Sequence, residues 1–411
     1  MRKRVFRVGL LLVLPLVLAW GCLAPTAFAF TEEQRLLSEV WRIVDRAYVD
    51  NTFNHQNWWF VRQKALRQSL SDREETYNAI QQMLASLGDP FTRLLKPDQY
   101  RSLQTNTSGE LTGIGIQITQ DVQTGELRVI APVEGSPADA AGIQPRDRII
   151  KIDGTFTKNL TLDEAAERMR GPAGSAVVLT IARDQADPLD VELKRERISL
   201  NPVFAELRPQ SQDNTIGYIR LNQFNANATA ELTNAINQLE ADGATAYILD
   251  LRNNPGGLLQ AGIEIARLWL GTGTVVYVVN RDGIQDSFDA SGEPLTTDPL
   301  VILVNQGTAS ASEILAGALQ DNGRAELVGE RTFGKGLIQS LFNLSDGSGL
   351  AVTIAKYETP NHHDINQRGI APDVVVQQAL MPRDQLGTDA DQQYLAAVQL
   401  LTQQAVIAGA G

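Results

Sequence analysis

Apolar positions along the chain change their spacing twice, and the changes divide it into three regions. From residue 31 to about 105 the spacing is helical: Leu36, Leu37, Val40, Trp41, Val44 and Tyr48 fall on one face. Thr31 and Gln34 have the spacing of a capping box at its start. Trp58 and Trp59 open a second helical stretch through Leu70, with the Trp pair read as core packing. Tyr77 to Leu87 forms a third, stopped by Gly88-Asp89-Pro90. Between about 107 and 198 the pattern becomes short alternating runs separated by glycine turns. Leu111–Ile118, Leu127–Ala131, Arg148–Ile152 and Ala176–Arg183 read as strands, and Leu162–Met169 as a helix. Beyond 200, buried strands alternate with helices. Ile216–Leu221, Ala246–Leu251 and Leu300–Val304 are strands; Ala228–Glu240, Leu258–Leu270 and Ser310–Gln320 are helices. This is α/β order, in which sites lie at strand ends. The closing residues, rich in Gln and Ala, read as a helix and tail.

Residues 1–29 stand outside the fold. Arg2, Lys3, Arg4 and Arg7 precede an apolar run from Val8 to Trp20, and Ala27-Phe28-Ala29 forms a small-x-small cleavage site. The run is short for a spanning helix, which favours a cleaved leader over a retained anchor. The chain has 411 residues and a net charge of −12; loss of the leader leaves −16, which argues against broad nucleic-acid binding. Cys22 is the single cysteine and lies inside the leader, where lipid modification is the competing reading. The mature chain then has no disulfide and no thiolate site, and no spacing suggests a metal. The expected domains are a 1–29 signal peptide, a 30–105 helical region, a 106–198 strand-rich domain and a 199–411 α/β core.

Composition also narrows the chemistry. With 3 histidines and 1 cysteine, most serine and cysteine protease arrangements lack parts, whereas a Ser–Lys pair needs neither. Ser310 follows a buried strand in Gly307-Thr308-Ala309-Ser310-Ala311-Ser312-Glu313, at the positive end of a helix. The N–H of Ala311 could stabilise an oxyanion there. Ser310-Ala311-Ser312-Glu313 is equally a capping box, and Ser312 is a rival nucleophile, so both readings stand at this point. Lys335 lies between glycines in Phe333-Gly334-Lys335-Gly336 among apolar neighbours. A free lysine, with a pKa of about 10.4, is a poor base near neutrality, but burial lowers that value. Gly256, in Asn253-Asn254-Pro255-Gly256-Gly257, is the candidate second oxyanion donor. His362, His363 and Asp364 raise a Ser–His–Asp alternative, disfavoured by their polar loop.

Ser136-Pro137-Ala138, Ala141-Gly142-Ile143 and Arg146-Asp147 make the middle region resemble a PDZ domain, with Arg146 standing where glycine is usual. The resemblance implies that Thr112, Gly113, Ile114 and Gly115 receive a peptide's terminal carboxylate while the peptide adds as a strand. A plain β-turn with buried Ile114 is the alternative. Arg170, at the end of the PDZ-like helix, is a candidate for coupling peptide binding to the core.

Gly-Thr-Ala-Ser-Ala-Ser-Glu-Ile, Thr-Phe-Gly-Lys-Gly and Arg-Asn-Asn-Pro-Gly-Gly together resemble the carboxy-terminal processing proteases, also called tail-specific proteases. The resemblance spans nearly the whole mature chain. It implies an α/β protease core with an N-terminal helical region and an inserted PDZ-like domain. It implies Ser310 as nucleophile, Lys335 as general base, Gln339 in support, and backbone donors at Gly256 and Ala311. Asp321 is a weaker, structural candidate. Val40 to Val49 and Trp58-Trp59 look most like the subgroup from oxygenic phototrophs, which trims the photosystem II reaction-centre precursor in the thylakoid lumen. The expectation is therefore an exported serine endopeptidase acting on protein C-termini, in the thylakoid lumen or periplasm, with no cofactor and no metal. Its substrate could be a membrane protein; the oligomeric state is open. A non-catalytic tail-binding or chaperone-like protein is the alternative.

Overall fold

The computed structural model describes residues 30–409 apart from 122, 123, 134, 184, 185, 212, 213, 284, 380, 383 and 384. The leader and Cys22 lie outside the described residues. The architecture is an α/β core, an N-terminal helical region and an inserted PDZ-like domain.

The core is built on a six-stranded sheet ordered Val203–Ser211, Asn214–Leu221, Ala246–Asp250, Leu300–Val304, Glu326–Gly329, Val374–Val375. The first pair is antiparallel and the rest run parallel. Ala246–Asp250 and Leu300–Val304 are buried at every position, as continuous apolar runs in a covered parallel sheet should be. Helices Ala228–Ala241, Leu259–Trp269 and Ala311–Asp321 cover one face in a single hydrophobic cluster. The closing helix Gln392–Gly409 covers the other through Tyr394, Ala397 and Leu401.

A second, antiparallel sheet joins Thr272–Asn280, Gln285–Ser291, Leu337–Asn343 and Gly349–Glu358. Its remaining strand, Arg93–Leu95, comes from the N-terminal region and pairs with Gly349–Ala351. Helices Glu32–Ala47, Trp58–Leu66 and Arg73–Ala85 share a core with Leu344, Leu350 and Val352 of this sheet. The N-terminal region is thus part of the protease body. Thr31 and Gln34 make the capping box that their spacing predicts. The Trp pair divides: Trp58 is 3% exposed and Trp59 is 52% exposed, because successive helical positions point about 100° apart.

The PDZ-like domain has its own core, including Ile114, Leu127, Ile149, Leu179 and Leu193. Its entry and exit strands, Glu110–Gly113 and Glu196–Ser199, pair antiparallel as a two-stranded stem. The expected strand Leu111–Ile118 breaks in two at Ile114-Gly115, where Gly115 has φ of 75°. A Cβ on Gly115 would overlap Ser136, so only glycine fits. Arg146, placed where glycine is usual, adopts φ of 73°: the left-handed turn is kept without the glycine.

Candidate active site

Ser310 sits where strand Leu300–Val304 hands over to helix Ala311–Asp321. The intervening turn is fixed by polar side chains. Thr308 Oγ1 donates to Leu251 O at 2.9 Å and accepts from Asn305 N–H at 3.0 Å. Ala309 N–H donates to Asn254 O at 3.0 Å. Ser310 itself has φ 59° and ψ −119°, a strained conformation for a residue with a Cβ. Such strain at a strand-to-helix turn is the geometry of a nucleophile elbow. Ser312, the rival, is fully buried and its hydroxyl donates to Asn254 O at 3.0 Å.

Glu313 organises both halves of the site. Its buried carboxylate accepts Ser310 N–H at 2.9 Å and Lys335 N–H at 2.8 Å on the same oxygen, Oε2. Oε1 accepts Gly334 N–H at 2.7 Å and the Thr332 hydroxyl at 2.5 Å. One side chain therefore locks the serine turn to the Arg331–Gly336 loop, helped by Phe333 N–H donating to Thr308 O at 3.0 Å. The motif reading identified Glu313 only as a helix cap. Both glycines beside Lys335 are required by close approach: a Cβ at Gly334 would lie 2.8 Å from Gly369 N, and one at Gly336 2.8 Å from Asn366 N.

Lys335 is half-buried, and its ammonium is disfavoured. Burial is the largest cause, and the Arg93 charge adds to it; Glu313 and Asp89 act in the opposite sense. The net shift is below the ordinary lysine value, the direction a general base needs. The Phe91 ring covers Nζ at 5.1 Å to its centroid. Gln339 lies on the next strand, with Nε2 3.4 Å from Thr353 Oγ1.

The candidate oxyanion donors converge on the serine. Ala311 opens its helix, so its N–H belongs to the first turn, where no intrahelical acceptor exists. Gly256 is packed against the turn: a Cβ there would stand 2.8 Å from both Ala311 N and Ser310 Cβ. Its N–H donates to Asn254 Oδ1 at 2.9 Å, so an oxyanion at this position would share or displace that bond. Behind this loop is a network that the motif reading missed. Arg252 is buried between Asp250 (2.6 Å) and Asp391 (2.7 Å), which ties the loop to the C-terminal segment.

The other candidates are elsewhere. Asp321, His362, His363 and Asp364 line a polar cavity of about 700 Å³. Asp321 accepts from Asn361 N–H, and His362 stacks on Tyr277. In the PDZ-like domain, Gly113, Ile114 and Gly115 line a narrow groove of about 70 Å³ with Ile116, Met169 and Arg170. Thr112 pairs with Arg197 in the stem, outside that lining. Arg170 bonds Glu167 at 2.9 Å, and Glu167 bonds Arg101 of the N-terminal region at 2.7 Å. No group of side chains among the described residues is arranged to hold a metal.

Comparison with known proteins places the chain in a family. Residues 215–376 match the model for peptidase family S41, and 128–183 match the PDZ domain. The chain is 60% identical over 379 residues to a carboxyl-terminal-processing protease of Synechocystis sp., covering 92% of this chain and 89% of that protein. It is 49% identical over 361 residues to the chloroplastic carboxyl-terminal-processing peptidase 2 of Arabidopsis thaliana, covering 85% and 70%. A solved photosystem II D1 C-terminal processing protease is 42% identical with a TM-score of 0.56, covering 86% of this chain and 95% of that one. On these grounds the chain belongs to peptidase family S41, as a serine peptidase of the carboxyl-terminal-processing kind.

Proposed function

We propose that the protein is an exported endopeptidase with a Ser310–Lys335 dyad, which binds substrate C-termini in its PDZ domain and removes a C-terminal extension. The observation that carries this reading is the Glu313 clamp, in which one carboxylate oxygen receives the N–H groups of both Ser310 and Lys335. A helix cap needs only the first of these bonds; the second, together with the depressed Lys335 ammonium, makes sense for a paired nucleophile and base.

The chemistry follows from the residues. Neutral Lys335 takes the Ser310 hydroxyl proton as Oγ bonds to the scissile carbonyl carbon. The oxyanion is held by Ala311 N–H at the helix N-terminus and by the Gly256 amide once it is shared. The Lys335 ammonium then gives its proton to the leaving amine as the C–N bond breaks. Water, deprotonated by Lys335, then bonds to the acyl carbon; the carbon–Oγ bond breaks, and the Lys335 ammonium returns the proton to Ser310 Oγ. Gln339 supports the lysine. The apolar groove beside Gly113–Gly115 receives the tail as an added strand, with Thr112 at its entrance and Arg170 coupling occupancy to the core.

The substrate proposed is the photosystem II reaction-centre precursor. Support comes from the D1 processing protease among the similar structures and from the cyanobacterial and chloroplastic relatives. The leader in residues 1–29 directs the chain to the thylakoid lumen or periplasm. The domain limits proposed are 30–105, 106–198 and 199–411, with the first contributing to the protease body. Mature protein incubated with the precursor tail should yield one C-terminal fragment by mass spectrometry. Ser310→Ala and Lys335→Ala should each lower the rate by at least about a thousandfold with the fold intact. Near-normal turnover in either variant removes the dyad assignment.

A further inference from the structure

The segment that links the N-terminal helices to the second sheet reads, in sequence, only as a helix stop. In the fold it reaches the catalytic lysine. Asp89 organises it: Oδ1 accepts Phe91 N–H at 2.9 Å, and Oδ2 accepts the hydroxyls of Thr92 at 2.7 Å and Thr353 at 2.6 Å. Thr353 is buried on strand Gly349–Glu358, and its N–H donates back to Thr92 Oγ1 at 3.0 Å. The loop so fixed lays Phe91 over Lys335 Nζ.

Thr353 also lies beside Gln339, whose Nε2 is 3.4 Å from Thr353 Oγ1. A carboxylate only accepts hydrogen bonds, so the single proton of the Thr353 hydroxyl is committed to Asp89. Toward Gln339 that oxygen can then only accept. Gln339 must present its NH₂ to Thr353, and its carbonyl Oε1 is the end turned away. Without the Asp89 acceptor, either orientation of the amide would be satisfied.

We propose that Asp89 is a positioning residue for the peptidase reaction: through Thr353 it fixes the amide of Gln339, so that Oε1 and not NH₂ is offered to the Lys335 ammonium. The inference rests on the dyad reading above and on the support of Lys335 by Gln339 proposed with it. It adds no proton to the reaction. The proton moves from Ser310 Oγ to Lys335 Nζ and on to the leaving amine, and Gln339 Oε1 accepts a hydrogen bond from the ammonium between these steps. An NH₂ in that place would oppose the ammonium.

Three variants test the relay on an unstructured peptide with a free C-terminus and a fluorophore–quencher pair. Asp89→Asn keeps the shape but puts a donor among three donors. Thr353→Val removes the intermediary, and Thr353→Ser restores its hydroxyl. Asp89→Asn and Thr353→Val should each lower kcat by at least about tenfold with KM within about twofold, and Thr353→Ser should recover most of the rate. In a Gln339→Ala background the first two should cost less than about twofold more, since the group they orient is gone. The acid limb of kcat/KM separates orientation from charge. The charged groups acting on Lys335 are Arg93 and Asp89 from this loop and Glu313 from the helix. Asp89→Asn removes a charge that favours the ammonium and moves the limb to lower pH; Thr353→Val leaves it in place. Should Asp89→Asn fail to fold, the Thr353 pair decides. Wild-type kcat in Thr353→Val, or an undiminished Asp89→Asn loss without Gln339, overturns the relay. If that happens while Ser310→Ala and Lys335→Ala are inactive, the dyad stands alone; if those two are active, both readings fall.

Discussion

Replacing Glu313 by Gln tests whether the clamp positions the dyad or only caps a helix. The carboxylate accepts four donors, three of them backbone N–H groups. Glutamine can accept on one oxygen only. The least costly placement turns its NH₂ toward Thr332, whose hydroxyl can reverse and accept, and leaves Gly334 N–H without a partner. One buried amide left unpaired costs about 1–3 kcal/mol. For a body of this size that lowers Tm by a few degrees. The opposite placement would unpair Ser310 and Lys335 instead, at about twice that cost, so the clamp should survive in part.

The activity readout is the pH profile of kcat/KM. The Glu313 charge raises the Lys335 pKa, against the larger effects of burial and Arg93. In the proposed dyad Lys335 acts as base when neutral, so activity should rise with pH through its pKa. Removing the Glu313 charge lowers that pKa, and the acid limb of the Glu313→Gln variant should move to lower pH. The plateau kcat should fall by about one order of magnitude, because the loop that carries Lys335 loses the Gly334 anchor. Glu313→Ala should fall much further, with no acceptor left between the loops. A simple cap predicts otherwise: stability would fall by about 1 kcal/mol and the limb would still move with the lost charge, but the plateau kcat would stay at the wild-type value. A wild-type plateau kcat refutes the positioning role, and an unmoved or raised limb refutes the charge argument.

Other consequences are sharper still in stability. Arg252→Met would leave the buried Asp391 carboxylate without its ion-pair partner and Asp250 with only the longer Arg220 contact at 3.7 Å, a loss of about 3–5 kcal/mol in urea unfolding. Burial, the largest single cause, pushes the Asp391 pKa up, but the Arg252 hydrogen bonds and charge, with the Gly387 and Tyr394 N–H groups, together hold the carboxyl below its ordinary value. That contribution is complete above about pH 4 and declines as pH falls through the depressed value, so the variant should show a flatter acid-stability curve. Arg170→Ala should slow processing of tail peptides several-fold; unchanged processing and unchanged peptide affinity would remove its coupling role.

What the sequence makes legible is what local pattern encodes. Continuous apolar runs mark Ala246–Asp250 and Leu300–Val304 because both faces of a parallel sheet are covered. The serine turn and the glycine-flanked lysine stand out because each needs special backbone at one place. What is hidden depends on partners far apart in the chain. Arg252 meets Asp391 across 139 residues, and nothing local at either end announces it. Glu313 has the right spacing for a cap, and a cap bond does form at Ser310; its three further donors lie in a loop that sequence spacing cannot place. Asp89 is hidden in a different way, since Gly-Asp-Pro is a sufficient helix stop and invites no second explanation.

The same comparison shows where catalytic precision is stored. Each element that touches the proposed dyad comes from a different part of the chain: the serine turn, the Arg252–Gly257 loop, the Arg331–Gly336 loop, and the Asp89–Arg93 segment of the N-terminal region. A strained serine and a half-buried lysine are both destabilising in isolation. They persist because two acceptors, the buried Glu313 and the half-buried Asp89, leave few alternative arrangements of the donors around them. If that is so, the N-terminal helices are needed for turnover as well as for stability. The strand Arg93–Leu95 pairs with the strand that carries Thr353, so a loosened N-terminal region would first misalign Gln339 and uncover Lys335. Lys335 would then regain water and its ordinary pKa, and the acid limb of activity would climb toward alkaline pH before the fold itself is lost.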